Sequence, residues 1–408
     1  MEDRDLYHAI LGLLPPWGVD RVKLDREAGV IHVWIREDEG AVFPCPECAK
    51  PCPLYDHTDR EWRHLDTCQF ETRLHARLPR VECPAHGVKT VRVPWAEPKS
   101  GFTLLFESLA ISWLREMTPA AVSRHMRISW DEARGIMERA VRRGLSRREE
   151  KAVRRIGIDE KSFQRRHDYV TVVTDLDERT VIDVLDDRKK ETLSKWFLGL
   201  SQARLDGIEV IAMDMWDPYI QAVHESVPDA PKKIVFDKFH IVRHLCDAVD
   251  RVRRGENKAL MGEGRDWLKG TRYDWLKTPA NFTHEAWERF KDLRESNLKT
   301  ARAWAIKETA MGLWNYTYER AARTFFKRWY WWATHSRLGP MIEKARMLRD
   351  HLTNILTYLK HRVTNAVTEG LNAKIQWIRY CSRGFRNREN FKMAILFHCG
   401  GLNMEPCT

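Results

Sequence analysis

Arg154-Arg155-Ile156-Gly157-Ile158-Asp159-Glu160-Lys161 decides the reading of this chain: two basic residues, an apolar strand, and a carboxylate pair where the strand ends. Directly after it, Tyr169-Val170-Thr171-Val172-Val173-Thr174-Asp175 and Thr180-Val181-Ile182-Asp183-Val184-Leu185 carry the β-branched residues that favour strands. The polar run Leu176-Asp177-Glu178-Arg179 between them supplies a turn. A carboxylate at the mouth of a three-stranded meander is where a metal-dependent phosphoryl-transfer site would begin.

Downstream, Lys189 to Leu200 predicts an amphipathic helix, and Ile208 to Met213 an apolar strand ending in Asp214. A helix from about Pro218 and a strand from Lys233 to Phe236, with Asp237 at its exit, follow. Three strands, a helix, a strand, a helix and a strand is the order of an RNase H-like core, its first three strands antiparallel and the later ones joined by crossover helices. Residues 241–360 contain no convincing strand and predict a helical insertion. Its tryptophans (Trp267, Trp275, Trp287, Trp304, Trp314, Trp329, Trp331 and Trp332) are read as core packing rather than base stacking. From Val363 a further helix carries Asn365-Ala366-Val367-Thr368-Glu369-Gly370-Leu371-Asn372-Ala373-Lys374, and a basic segment with Arg379, Arg383, Arg386 and Arg388 follows, interleaved with Tyr380 and Phe385.

Upstream, five of the nine cysteines lie between Cys45 and Cys83, a clustering that points to metal binding over disulfides in a long intracellular chain. Cys45-Pro46-Glu47-Cys48 is answered by Cys83-Pro84-Ala85-His86, two tight turns that each aim two soft ligands at one tetrahedral zinc ion. Cys52 and Cys68 stand as possible substitutes. An alternating hairpin over residues 20–35 and a strand from Glu71 to Leu78 complete a zinc ribbon, in which the metal is structural because four ligands leave no open position. From Phe102 the period turns helical: Phe102, Leu105, Phe106, Leu109 and Trp113 form one stripe. Thr118-Pro119 caps a short second helix, and Ser129-Trp130-Asp131-Glu132 opens a third that carries Arg134, Arg139, Arg142 and Arg143. Three helices with a short second and a basic third predict a helix-turn-helix.

At 408 residues the chain needs two or three domains, and its 43% apolar content is ample for their cores. A formal net charge of +11 and a pI near 9.2 point to a polyanionic partner, nucleic acid above all. The acidic start Met1-Glu2-Asp3-Arg4-Asp5 lacks the apolar run of a signal peptide, and no stretch is long enough for a membrane span.

The wording of these segments carries a resemblance. Gly157-Ile158-Asp159-Glu160, Met213-Asp214-Met215-Trp216 with Pro218-Tyr219, Asp237 with Phe239-His240, and Asn365 with Glu369-Gly370-Leu371-Asn372 before Arg383-Gly384-Phe385-Arg386-Asn387 are similar to the motifs of the ISL-three family of bacterial insertion-sequence transposases. These are DDE enzymes with an RNase H-like core, and the resemblance runs over nearly the whole chain. His86 departs from the cysteine more usual in the family's ribbon, which touches only ligand assignment.

The resemblance implies that Asp159, Asp214 and Glu369 hold two Mg²⁺ (or Mn²⁺) ions. Asp237 competes with Asp214 for the second role; Asp214 is preferred, with Asp237, His240 and Glu160 supporting the site. It implies a multidomain α/β protein: zinc ribbon 1–98, helix-turn-helix 99–150, core 151–240, helical insertion 241–360, and C-terminal core helix with basic tail 361–408. Double-stranded DNA is the expected partner, both as terminal inverted repeats and as target. Arg134, Arg139, Arg142 and Arg143 of the third helix, with Lys374, Arg379, Arg383 and Arg386 of the tail, are the expected DNA contacts. The expected setting is the bacterial cytoplasm at the nucleoid, as a dimer or larger assembly on DNA. A DNA-binding regulator with an inert core and a nuclease without a joining step are the competing functions.

Overall fold

The computed structural model describes residues 3–149, 151–164, 168–363 and 366–406. It divides into two compact units, one built from residues up to 149 together with 402–406, the other from 151 to 401. Asn365 of the last motif lies outside the described residues.

In the first unit a helix, α1 (Asp3–Leu11), precedes the hairpin of β1 (Trp17–Asp25) and β2 (Val30–Glu37). A small two-stranded knuckle follows, β3 (Phe43–Pro44) and β4 (Pro51–Cys52), then a long antiparallel hairpin, β5 (Leu54–Thr67) and β6 (Phe70–Cys83), and β7 (Gly87–Thr90). The sheet runs β1-β2-β6-β5 with β7 on the edge of β6, and β2 and β6 are parallel. Period-two alternation puts Val33 and Ile35 of β2 and Leu74, Ala76 and Leu78 of β6 on one buried face, with Trp62 and Trp95 meeting edge to face. The sequence signals caught β6 only in part and missed β5. That strand is mixed in polarity, with only Trp62, Arg63 and His64 buried in succession near its end.

Three helices complete this unit: α2 (Leu104–Glu116), α3 (Pro119–Met126) and α4 (Trp130–Ser146). Each start obeys the capping chemistry of its sequence. The Thr103 and Thr118 hydroxyls accept from Phe106 and Ala121, Pro119 sits in the first turn, and Ser129 and Glu132 form a reciprocal capping box. His64 ties β5 to the first of these helices, sharing a 2.9 Å hydrogen bond with Thr103 Oγ1. Burial, and then the Arg63 charge, lower the pKa of His64 to about 4 from 6.5. The folded state therefore resists a proton that the unfolded chain accepts, so this histidine's contribution is complete above pH 6.5 and lost as the pH falls toward 4. Over that window the loss is roughly 3 kcal/mol. Urea unfolding at pH 7.5 and pH 5 should show a smaller pH difference for His64→Gln than for the wild type; equal differences would refute it.

The second unit opens with β8 (Arg155–Gln164), β9 (Asp168–Asp175) and β10 (Thr180–Leu185), an antiparallel meander. Helices α5 (Lys190–Leu198) and α6 (Gln202–Gly207) lead to β11 (Val210–Met213); α7 (Asp217–Ser226) and α8 (Ala230–Lys233) lead to β12 (Ile234–Phe236). The sheet order is β10-β9-β8-β11-β12, with β11 parallel to both β8 and β12. Contrary to the sequence reading, β8 does not stop at the carboxylate pair. It continues to Gln164, and Asp159 pairs with Val172 in mid-strand.

Residues 241–360 form no strand. Helices α9 (Lys238–Gly262), α10 (Arg272–Leu276), α11 (His284–Glu295), α12 (Lys299–Met311), α13 (Glu319–Thr334), α14 (Gly339–Asp350) and α15 (Leu352–His361) account for most of them. Trp275, Trp304, Trp314 and Trp329 are buried in one core with the sheet's apolar side chains, whereas Trp267 and Trp331 are exposed. Two helices close the unit, α16 (Ala366–Cys381) and α17 (Arg388–Cys399). The next residues leave it: Leu402 and Met404 are buried in the first unit, against Gly144 of α4. None of the described helices is long and apolar enough to cross a membrane.

Candidate active site and metal centre

Strand register places the acids. Gly157 of β8 pairs with Ala212 of β11, and Met213 of β11 pairs with Phe236 of β12. Continuing both registers past the strand ends brings Asp159, Asp214 and Asp237 to one level on three adjacent strands. The Asp237 amide extends the ladder by donating to Met213 O (3.0 Å).

Asp159 is buried, and its carboxylate is held on both oxygens. Oδ1 accepts from the Glu160 amide (2.8 Å); Oδ2 accepts from Asn372 Nδ2 (2.7 Å) and faces Lys161 Nζ (2.9 Å). Asp214 accepts from the Trp216 amide (3.2 Å). Burial raises its pKa to about 6, with the nearby Glu160 and Asp159 charges adding to the rise and His240 and the Trp216 amide opposing it. A carboxylate whose proton affinity is raised by burial beside other acids marks an electronegative pocket suited to a cation. Asp237 caps α9 through the Phe239 amide (3.0 Å) and lies 3.7 Å from His240 Nε2.

Glu160, the other member of the first acid pair, is paired with Arg188 (3.1 Å). That guanidinium is sandwiched between the rings of Tyr169 (4.3 Å) and Trp216 (4.7 Å), and the Trp216 indole N–H donates to Arg188 O (3.3 Å). Sequence reading passed over Arg188, which lies in a loop of mixed charge with no periodicity to mark it.

Helix α16 packs along β8. Thr368 lies so close to Gly157 that a Cβ there would stand 3.2 Å from its hydroxyl and 2.4 Å from Thr174 Oγ1. Asn372 reaches Asp159, and Arg379 donates to Ser162 O (2.9 Å). Glu369 stands between Thr368 and Asn372 in the first turn of this helix and is exposed. The structure thus brings Asp159 and Asp214 together and lays the Glu369 helix beside them. Among the described residues the ligand atoms of these three acids do not all fall within 4.8 Å of one another, as those of the cysteine-histidine set do.

That second set is Cys45, Cys48, Cys83 and His86. Cys48 and Cys83 sulfurs are 3.8 Å apart, and His86 Nδ1 is 3.5 Å from Cys83 Sγ and 3.7 Å from Cys45 Sγ. Tetrahedral zinc with Zn–S of about 2.3 Å and Zn–N of about 2.0 Å requires S···S edges of about 3.8 Å and S···N edges of about 3.5 Å, so the donors fit that ion. Desolvation works to raise the Cys83 thiol, but the Ala85 and His86 amides and the Cys45 and Cys48 thiols outweigh it and hold the pKa down to about 7. Cys52 lies outside the set, its thiol donating to Lys50 O, and Cys68 is exposed in the β5–β6 turn. Of the alternatives left open by spacing, the geometry groups His86 with Cys45, Cys48 and Cys83.

The expected DNA contacts separate. Arg143 is not one: its side chain is 6% exposed and binds Glu97 (2.6 Å), Glu107 (2.9 Å) and Met404 O. Glu107 is itself buried, so Arg143 neutralises an interior charge, a role its basic stretch of sequence hides. Arg139 shares that carboxylate at 2.6 Å. Arg142 is exposed beside Glu138 (2.5 Å), and Arg134 lies between Asp131 (3.8 Å) and Glu138 (3.6 Å). In the tail Lys374 donates to His398 O (2.6 Å), while Arg383 and Arg386 are exposed, as are the Trp377 and Tyr380 rings.

Comparison with known proteins gives three family matches in chain order. Residues 41–86 match a zinc-finger of transposases IS204, IS1001, IS1096 and IS1165, residues 91–141 a helix-turn-helix domain of transposase family ISL3, and residues 156–395 the transposase domain of ISL3. The chain is 29% identical over 418 residues to a transposase for insertion sequence element IS1557 from Mycobacterium tuberculosis, covering 95% of this chain and 93% of the relative. It is 25% identical over 401 residues to a transposase for insertion sequence element IS1001 from Bordetella parapertussis, covering 97% and 98%.

Proposed function

Because the chain belongs to the ISL3 family of insertion-sequence transposases, we propose that it binds the terminal inverted repeats of its own element and catalyses metal-dependent DNA cleavage and strand transfer. The observation that carries this reading is the placement of Asp159 and Asp214 at one level on adjacent parallel strands, close enough for the Asp159 charge to act on Asp214. The sheet order β10-β9-β8-β11-β12, antiparallel in its first three strands, supports an RNase H-like core.

Asp159, Asp214 and Glu369 would hold two Mg²⁺ or Mn²⁺ ions. The oxygen-only donors, the raised proton affinity of Asp214 and a buried acceptor oxygen on Asn372 fit a hydrated hard cation. Bound there, the ions supply activation of a water or 3′-hydroxyl and stabilisation of the leaving oxygen. The chain's own groups prepare the pocket. Lys161 and Asn372 fix the Asp159 carboxylate, Arg188 holds Glu160 aside, and His240 opposes the charge of Asp214 and Asp237.

The ribbon, a structural zinc module, and the helix-turn-helix would read the repeat, with Arg134 and Arg142 on the exposed side of α4. Lys374, Arg379, Arg383 and Arg386 would hold phosphates near the cut. Synapsis of two ends calls for a dimer or larger assembly on DNA, acting in the bacterial cytoplasm at the nucleoid.

Joining is tested apart from cutting by supplying repeat ends already cut to a 3′-hydroxyl, with Mg²⁺ and a supercoiled target plasmid. The expected product is end-labelled plasmid. Cleavage of uncut repeats with no joining of precut ones would leave a nuclease, and specific binding with neither would leave a regulator.

A further inference from the structure

Asn372 makes half of the contacts its side chain is built for. Its Nδ2 donates to Asp159 Oδ2 at 2.7 Å, but its Oδ1 is buried and accepts from no group among the described residues. Turning the amide over would set its oxygen against a carboxylate oxygen, so the orientation is fixed by Asp159. A buried amide oxygen without a donor costs about 1–3 kcal/mol, and such an atom in a folded protein calls for a partner such as a water or ion. The missing group must donate a proton, be small, and sit beside Asp159. Neighbouring cations do not supply it: Lys161 faces Asp159 and Arg188 is engaged with Glu160.

We propose that Asn372 is a positioning residue for a divalent cation at Asp159, its Nδ2 orienting the carboxylate and its Oδ1 accepting a hydrogen bond from a water in the ion's shell. This rests on the metal-site reading above. Magnesium and manganese keep several such waters, and groups that hold a ligand from behind typically contribute 10- to 100-fold in metal affinity.

The test is a titration of the zinc-loaded full-length protein with Mn²⁺ in the absence of DNA, following free Mn²⁺ by electron paramagnetic resonance. Wild type, Asp159→Asn, Asn372→Ala and Asn372→Leu are compared, each with the melting temperature of its zinc-loaded form in Mn²⁺-free buffer. Expected are loss of the Mn²⁺ site in Asp159→Asn and about 10- to 100-fold weaker binding in both Asn372 variants, with melting in Mn²⁺-free buffer close to wild type. Wild-type Mn²⁺ affinity in both Asn372 variants, with the site lost in Asp159→Asn, overturns the inference and leaves the metal reading standing. Melting well below wild type in both variants assigns Asn372 to the fold and also overturns it. Equal Mn²⁺ binding by wild type and Asp159→Asn instead removes the metal reading itself.

Discussion

Asp159→Asn is expected to lower strand cleavage at the repeat boundary by on the order of a thousandfold or more while leaving binding of the repeat unchanged. The substitution keeps the shape of the side chain and deletes its charge. It also turns one acceptor into a donor at a place where Asn372 Nδ2, Lys161 Nζ and the Glu160 amide already converge. At least one of those contacts becomes donor against donor, a stability cost of about 1–3 kcal/mol that a unit of this size tolerates. The residues expected to read the repeat lie on other elements, in the ribbon and on α4. Gel shift with the repeat and a cleavage assay on the same preparations separate the two effects. A variant that cuts at the wild-type rate would remove Asp159 from the chemistry.

Loss of zinc has the largest expected effect on folding. Cys83→Ser, or exhaustive chelation, should unfold the ribbon over residues 41–90 and abolish repeat binding. The four ligands come from two turns on separate parts of the chain, the β3–β4 knuckle and the β6–β7 turn, and each contributes two. Without the ion, the two turns keep only weak links, such as the partly exposed Glu47–Lys89 ion pair (3.9 Å) and the Glu82 amide's bond to Pro53 O (3.0 Å), and the Cys48 and Cys83 sulfurs are left facing each other at 3.8 Å. In small modules of this kind the binding free energy, on the order of 10 kcal/mol or more, is largely the folding free energy. Zinc content by atomic absorption together with limited proteolysis is the check. One zinc per chain falling to none, with new cleavage sites in residues 41–90, is the expected result. A Cys83→Ser protein that keeps one zinc and the wild-type proteolytic pattern would contradict it.

What the sequence disclosed follows from how local each signal is. Two helix starts were legible because Thr118-Pro119 and Ser129 with Glu132 cap through residues three positions away, and the structure contains each of those bonds; the Thr103 cap of α2 was not read. The meander was legible from β-branched runs, and the zinc set from two Cys-x-x-Cys-like turns. Interactions between distant residues were not. Arg143 looked like a DNA contact because it sits in a basic helix, yet its partners Glu97, Glu107 and Met404 come from elsewhere in the chain. The pairing of Asn372 with Asp159 spans more than half of the chain, and no local pattern announces it. The length of β8 was misjudged because its polar continuation past Asp159 is held by pairing with β9, a partner that hydrophobicity alone does not reveal. The tail cations Arg383 and Arg386 are exposed and remain candidates for phosphate contact.

The central claim is that three carboxylates, two on the sheet and one on α16, act on DNA through divalent metal. Its most direct test is cleavage of labelled duplex bearing the inverted repeat, with Mg²⁺ and with EDTA, by wild type and Glu369→Gln. Glu369 is exposed on the helix that touches Asp159, so its substitution removes a charge without emptying the core. Nicking at the repeat boundary that needs Mg²⁺ and disappears in Glu369→Gln is the predicted result. Mg²⁺-dependent nicking unaffected by the substitution would contradict the third carboxylate, and nicking that persists in EDTA would contradict the metal site as a whole.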